Sequence, residues 1–113
     1  MIILAWPDKV LNPNWKGHWT IKAKATKAAR TAAGWETKAS KDKVDGDGAI
    51  YLHVYFFPPD NRRRDGTNML ASLKAAFDGI ADALGVNDIR FHVAYEVCGK
   101  MPPCGEVRIV ITG

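Results

Sequence analysis

Residues 60 to 78 read DNRRRDGTNMLASLKAAFD, which brings Arg62, Arg63 and Arg64 directly before Asp65 and a segment with helical spacing. Helix N-termini attract anions through free backbone N–H groups and the helix dipole, so arginines at such a position favour a phosphate-binding site. A solubilising surface patch is the alternative interpretation. The placement at a helix start favours the phosphate site.

Asp65 adds a carboxylate to this cationic stretch. Carboxylate oxygen suits Mg2+, which keeps several waters and takes one or two protein carboxylates together with substrate phosphates. The arginines would then hold the strand that a carboxylate repels. As a structural residue, Asp65 would instead form a turn with Gly66 or cap a helix beginning near Thr67.

A second group of candidates follows along the helix. A stripe on one face of this helix is predicted by spacings of four, three and four between Thr67, Ala71, Lys74 and Asp78. Lys74 precedes Asp78, the less favourable order for a stabilising pair, so Lys74 is a candidate for stabilising charge on a phosphate. Asp88 precedes a predicted strand and is either a turn residue or, if that strand lies beside the one ending at Phe57, a partner of Asp65 around one metal ion.

The elements that must position these residues follow from apolar periodicity. Residues 2 to 6 predict a strand, and a helix beginning near His18 should pack through an apolar stripe. Residues 49 to 57 predict a strand with both faces covered, and a second helix should end at Gly85. Two final strands, joined by CGKMPP, predict an antiparallel hairpin. The helix-one stripe is Ile21, Ala25, Ala28, Ala32 and Trp35.

Composition limits the class of protein. The 113 residues are 47% hydrophobic and 25% charged, which is typical of one globular domain covering 1–113. No apolar run approaches a membrane span, and the N-terminal residues do not resemble a signal peptide, so we expect a cytoplasmic protein without membrane contact. Cys98 and Cys104 are too few for a disulfide framework or a zinc site, and reduced thiols or one disulfide across a hairpin both remain open.

Charge is unevenly distributed along the chain. No acid occurs between Asp8 and Glu36, a window that holds six basic residues. Such clustering favours a polyanionic partner because bound lysines and arginines release counterions from phosphates, although a solvated helix face fits equally well. Trp15 and Trp19 are candidates for base stacking. The basic residues are Lys9, Lys16, Lys22, Lys24, Lys27 and Arg30.

No other catalytic pattern is present. A phosphate-binding loop of the GxxxxGK type and a paired-histidine zinc motif are both missing, so no nucleotide cofactor is expected. His53 and His92 fall in predicted strands and are better explained as sheet residues than as ligands.

The run PPDNRRRDGTNMLASLKAAFDGIADALGVNDIRF resembles the RusA-like Holliday junction resolvases, whose motif combines a basic stretch, Asp-x-Asp-Asn, a helical lysine and an acidic pair. The N-terminal AWPDKVLNPNWKGHW is similar to the opening of that family, so the resemblance spans nearly the whole chain. It aligns Asp65, Asn68, Lys74 and Asp88 with functional positions. Thr67 replaces the second aspartate of the motif.

The resemblance implies an α+β fold, with a small mixed sheet of about four strands packed with two main helices, in a homodimer. It implies an endodeoxyribonuclease that resolves four-way junctions in DNA recombination and repair by hydrolysing phosphodiesters with Mg2+, or Mn2+ as the alternative ion. Asp65 and Asp88 would hold the metal ion, and Lys74 would help to stabilise the charge that develops on the phosphate.

The implied partner is branched DNA, held by the arginines, Asn68 and the helix-one cations Lys16, Lys22, Lys24, Lys27 and Arg30. Two departures bear on activity. Asn87 stands where the first acid of the pair often sits, and a threonine hydroxyl at position 67 removes one negative charge. Either a neighbour such as Asp78 compensates, or the protein binds junctions with weak or no cleavage.

Overall fold

One face of a four-stranded mixed sheet carries the hydrophobic core. The computed structural model describes all 113 residues, and the strands lie in the order β1-β4-β2-β3. The predicted α+β class and strand number are confirmed. The strands are β1 (Ile2–Ala5), β2 (Ile50–Phe57), β3 (Phe91–Val97) and β4 (Glu106–Thr112), and the helices are α1 (Trp19–Ser40), α2 (Gly66–Ala71) and α3 (Lys74–Leu84).

β2 is the central strand of the core. Its alternate residues Ile50, Leu52, Val54 and Phe56 are buried, as the period of two predicts. The opposite face is not covered within the chain, since Tyr51 is exposed and the next three outward residues are only half-buried. The expectation that both faces of this strand are covered is therefore wrong for the single chain.

The predicted hairpin of the last two strands is also wrong. β2 lies between β3 and β4, pairing in parallel with β3 and antiparallel with β4. The helices α2 and α3 form the crossover that returns the chain to the starting end of β2, which is the usual way to connect parallel strands. Alternating patterns identify strands but do not identify their neighbours.

α1 begins after His18, whose imidazole caps the helix by accepting a hydrogen bond from the backbone N–H of Thr20. The start near His18 is confirmed, but the predicted packing stripe is wrong. Ile21 is 52% exposed and Trp35 is 68% exposed, whereas the fully buried positions are Ala33 and Thr37. The Thr37 hydroxyl is satisfied by donating to the carbonyl of Ala33.

The predicted second helix is two helices, α2 and α3, separated by Ser72 and Leu73. Both linking residues are buried, and Leu73 belongs to the core cluster. The predicted end is confirmed, because Gly85 adopts the left-handed conformation at φ 69° and closes α3.

Both cysteines are free thiols. None of the helices has the length and apolar character needed to cross a membrane.

Candidate nucleic-acid and metal site

The arginine loop forms the wall of an open polar cavity of about 700 Å3 between β2 and the start of α2. The segment between β1 and α1 also lines this cavity, through Lys9 and Asn12. This cavity therefore combines two segments far apart in sequence. Its predicted lining residues are Arg62, Arg63, Arg64, Asp65 and Asn68.

The three arginines are not equivalent. Arg64 donates to the Asp60 carboxylate at 2.9 Å and to the carbonyl of Arg62 at 3.0 Å, and its guanidinium lies over the Trp6 ring. These contacts fix Arg64 as part of the loop structure. Arg62 and Arg63 are exposed and form no ion pair within the chain, so their charges remain available to a ligand.

Asp65 is the N-cap of α2, one of its two expected roles. Its Oδ1 accepts from the hydroxyl of Thr67 at 2.6 Å and from the backbone N–H groups of Thr67 and Asn68. The Thr67 hydroxyl, followed by the two backbone groups, lowers the pKa of the Asp65 carboxyl. Asp65 is consequently ionised at neutral pH, with Oδ1 engaged by three donors.

Thr67, which stands where the motif has its second aspartate, has a structural role. Because the Thr67 hydroxyl donates to Asp65, it stabilises the negative charge of that carboxylate. A second aspartate at this position would repel Asp65 instead. Thr67 therefore stabilises Asp65 as the N-cap of α2.

Lys74 is held between two carboxylates at the start of α3. Its Nζ donates to Asp78 at 3.0 Å and to Asp88 at 2.9 Å. The Asp88 bond, and then the Asp78 bond, raises the pKa of Lys74, while the pKa of Asp88 is lowered by Lys74. The cluster thus joins one ammonium group to two carboxyl groups, and it remains accessible to solvent.

The structure brings Lys74 and Asp88 together but does not join Asp65 to them. Asp65 follows the end of β2 and Asp88 precedes the start of β3, and since these strands are parallel, the two acids enter from opposite ends of the sheet. A metal ion shared by Asp65 and Asp88 stays a prediction.

Asp78 is the carboxylate that lies beside Asp88. The shared Lys74 ammonium shows that the two side chains point toward one position, which that ammonium occupies. The chain contains no group of three or more His, Cys, Asp or Glu side chains arranged to hold a metal ion. Two carboxylates are the number that Mg2+ usually takes from a protein.

The basic residues of α1, together with Lys16 in the loop before it, fall into two groups. Lys16, Lys24 and Lys27 are exposed and form no ion pair in the chain, and Lys22 is half-buried. Arg30 instead makes a two-pronged contact with Asp82 of α3, at 2.6 and 2.9 Å. Arg30 therefore connects the two helices and is less available to DNA than the lysines.

Sequence reasoning missed Lys9 and Asn12 as cavity residues and Asp82 as the partner of Arg30. Lys9 belongs to the basic segment between Asp8 and Glu36, which contains no acidic residue. Nothing in the residue spacing predicted that this segment lines the same cavity as the arginine loop. Arg30 and Asp82 are 52 positions apart, and only the packing of α1 on α3 brings them together.

Comparison with known proteins shows a similarity to a bacterial protein of unknown function. The chain is 40% identical over 119 aligned positions to an uncharacterized protein of Xylella fastidiosa (strain Temecula1 / ATCC 700964). The alignment covers 99% of this chain and 75% of that protein. No protein-family model matches the chain.

Proposed function

This chain belongs to the same family as the uncharacterized Xylella fastidiosa protein, and we propose that it is a metal-dependent endodeoxyribonuclease that resolves four-way DNA junctions. It would act in the cytoplasm in recombination and repair, as a homodimer. The observation that carries the proposal is the position of Lys74, the first residue of α3, whose Nζ lies within 3.0 Å of carboxylate oxygens of both Asp78 and Asp88.

The DNA-binding part of the proposal is supported by unpaired cations in two places. Arg62 and Arg63 line the polar cavity, and the exposed lysines of α1 and its preceding loop add positive charge. Each cation placed on a phosphate releases counterions, so affinity should fall steeply with salt. Asn68 is a neutral donor and acceptor in the same cavity.

The cleavage part is supported by the chemistry of the Lys74 cluster. Asp88, with Asp78 beside it, would hold Mg2+ or Mn2+, which when bound would activate water and neutralise phosphate charge. Lys74 remains protonated because of its two carboxylates, so its ammonium is positioned to stabilise charge that develops on the phosphate. Asp65, ionised in the arginine cavity and apart from this cluster, stays a predicted metal ligand.

A synthetic four-way junction tests the proposal. Incubation with the protein and Mg2+ should yield paired nicks in opposed strands, and EDTA should abolish them. Lys74→Ala and Asp88→Asn should each lower the cleavage rate by about 10² to 10³, the usual loss for one group that stabilises transition-state charge. Lys43→Ala, which changes a lysine outside this cluster, is the matched control and should cleave normally.

The absence of nicks with the native protein, at saturating junction and with either metal, would overturn the nuclease assignment. A loss of nicking in Lys74→Ala together with lost junction binding would also contradict the assigned role, because Lys74 should affect cleavage more than affinity.

A junction-binding protein without cleavage is the second candidate, and the Thr67 hydroxyl favours it. That hydroxyl occupies the position of a motif aspartate and donates to Asp65 at 2.6 Å, so the arginine cavity has one negative charge fewer for a metal. In this case the native protein binds junctions and does not nick them, and Thr67→Asp turns cleavage on. A flat dependence of affinity on salt would contradict both candidates.

A further inference from the structure

An apolar cavity of about 210 Å3 lies between α1 and the segment that runs from β1 to residue 11. Ten of its thirteen lining residues are hydrophobic. Its two polar side chains already form hydrogen bonds within the chain, since the Asp8 carboxylate accepts from the backbone N–H of Val10 and the Ser72 hydroxyl donates to the carbonyl of Asn68. A group that enters this cavity therefore meets mainly apolar surface.

The cavity exists because α1 presents only small side chains on this side. Four alanines of the helix line it, and their methyl groups leave space in front of the facing segment. Protein interiors contain few voids of this size, and an engineered apolar cavity of about 150 Å3 in another protein binds benzene. The larger cavity of this chain accordingly admits one six-membered ring with a short arm. The four alanines are Ala25, Ala28, Ala29 and Ala32.

The apolar cavity adjoins the arginine cavity, the open polar cavity that Arg62 and Arg63 line. The two cavities have four lining residues in common, which are Trp6, Pro7, Asp8 and Ser72. A molecule of modest length can therefore reach from one cavity into the other.

The arginine cavity carries a small excess of positive charge. Four basic and three acidic side chains line it, which leaves one positive charge over. Arg62 and Arg63 are exposed and form no ion pair within the chain, so they are the cations available to a ligand. The basic side chains are those of Lys9, Arg62, Arg63 and Arg64, and the acidic ones are those of Asp8, Asp60 and Asp65.

We propose that the two cavities together bind a small carboxylic acid that carries one aromatic ring. The ring fills the apolar cavity, and the carboxylate accepts hydrogen bonds from Arg62 or Arg63, because guanidinium groups bind carboxylates through paired N–H donors. A single negative charge matches the single positive charge in excess. Apolar walls with a few polar groups that fix orientation are the usual composition of small-molecule sites.

This site goes beyond the proposed nuclease activity and is inferred from the two cavities alone. The experiments below contain no DNA, so their outcome is independent of whether the protein cleaves junctions.

Titration calorimetry of the native protein with three compounds tests the two halves of the site. 3-Phenylpropionate should bind roughly 10- to 100-fold more tightly than propionate, because its ring leaves water for the apolar cavity. It should bind about tenfold more tightly than 3-phenylpropanamide, which has the same shape without the charge. Equal affinities of 3-phenylpropionate and propionate would overturn the role of the apolar cavity, and equal affinities of the acid and its amide would overturn the role of the arginines.

Filling the apolar cavity tests where the ring lies. Ala29→Leu places a larger side chain at a half-buried position of the cavity wall and should abolish the preference for 3-phenylpropionate over propionate, with an unchanged circular dichroism spectrum. Ala39→Leu, the same change at an exposed position of α1 outside the cavity, is the matched control and should keep the preference. A folded Ala29→Leu variant that keeps the native preference would contradict the assignment, and the three-compound comparison decides the question if this variant does not fold.

Removal of the two free arginines tests where the carboxylate lies. The double variant Arg62→Gln, Arg63→Gln should bind 3-phenylpropionate as weakly as the native protein binds 3-phenylpropanamide, while its affinity for the amide stays the same. Lys43→Gln, Lys100→Gln, which removes two exposed charges elsewhere, is the control and should bind both compounds as the native protein does. Native affinity for the acid in the double arginine variant would overturn the proposed site.

Discussion

α1 and α3 pack against each other and use their apolar residues in opposite ways. α3 buries Phe77 and Ile80 in the core, whereas α1 exposes its three large apolar residues, Trp19, Ile21 and Trp35. The contact between the helices is made by small residues, with Gly34 of α1 facing Gly79 of α3. Apolar spacing in a helix therefore predicts an amphipathic face without establishing that the face is buried.

The largest expected effect distinguishes the two helices directly. Ile80→Ala should lower the free energy of unfolding by about 3 kcal/mol, since a fully buried side chain is lost and a cavity remains. Ile21→Ala, the same change on α1, should cost less than about 0.5 kcal/mol because the side chain is half exposed. Urea unfolding measures both, and equal losses would mean that α1 packs against something in solution.

The glycine pair should show the next largest difference. A Cβ on Gly79 would overlap the carbonyl oxygen of Arg30, so Gly79→Ala should destabilise by roughly 1 to 3 kcal/mol through separation of the helices. A Cβ on Gly34 would lie 3.5 Å from the Gly79 carbonyl, an ordinary contact. Gly34→Ala should therefore be neutral or stabilising by about 0.5 kcal/mol, because alanine favours a helix. Destabilisation by both changes, compared by thermal unfolding, would contradict this asymmetry.

The smallest effect concerns the ion pair that joins the helices. Arg30 lowers the pKa of the Asp82 carboxyl through their hydrogen bonds. A lowered carboxyl pKa gives stability that is present above the ordinary value, near 3.9, and is lost as pH falls through the lowered one. Asp82→Asn should therefore be slightly less stable than the native protein at pH 7, and the difference should shrink below about pH 4. A difference that stays constant down to pH 2 would show that charge is not its cause.

Local signals predicted much of the fold correctly. The Gly85 end of α3, the His18 start of α1 and the buried face of β2 each depend on a few neighbouring residues, and each is confirmed. Asp65 was predicted as a cap or a metal ligand, and its three donors establish the cap. The metal role stays a prediction.

Long-range pairing was less accessible from sequence. The strand following Asp88 does lie beside β2, but the parallel direction brings Asp88 to the far end from Asp65. Period-two patterns are identical for parallel and antiparallel neighbours in a half-buried strand, so the direction could not be deduced. The pairing of Lys74 with Asp88, across 14 positions, depends on how the chain folds back after Gly85.

By itself, the sequence determined the short-range features: where helices start and end, which face of β2 is apolar, and the concentration of positive charge near Arg62. Those features depend on backbone preferences and side-chain spacing within a few residues. Only the tertiary structure decided that α1 exposes Trp35, that β3 is an edge, and that Asp78 lies beside Asp88. Such outcomes depend on which elements compete for one buried sheet face, and that competition involves the whole chain at once.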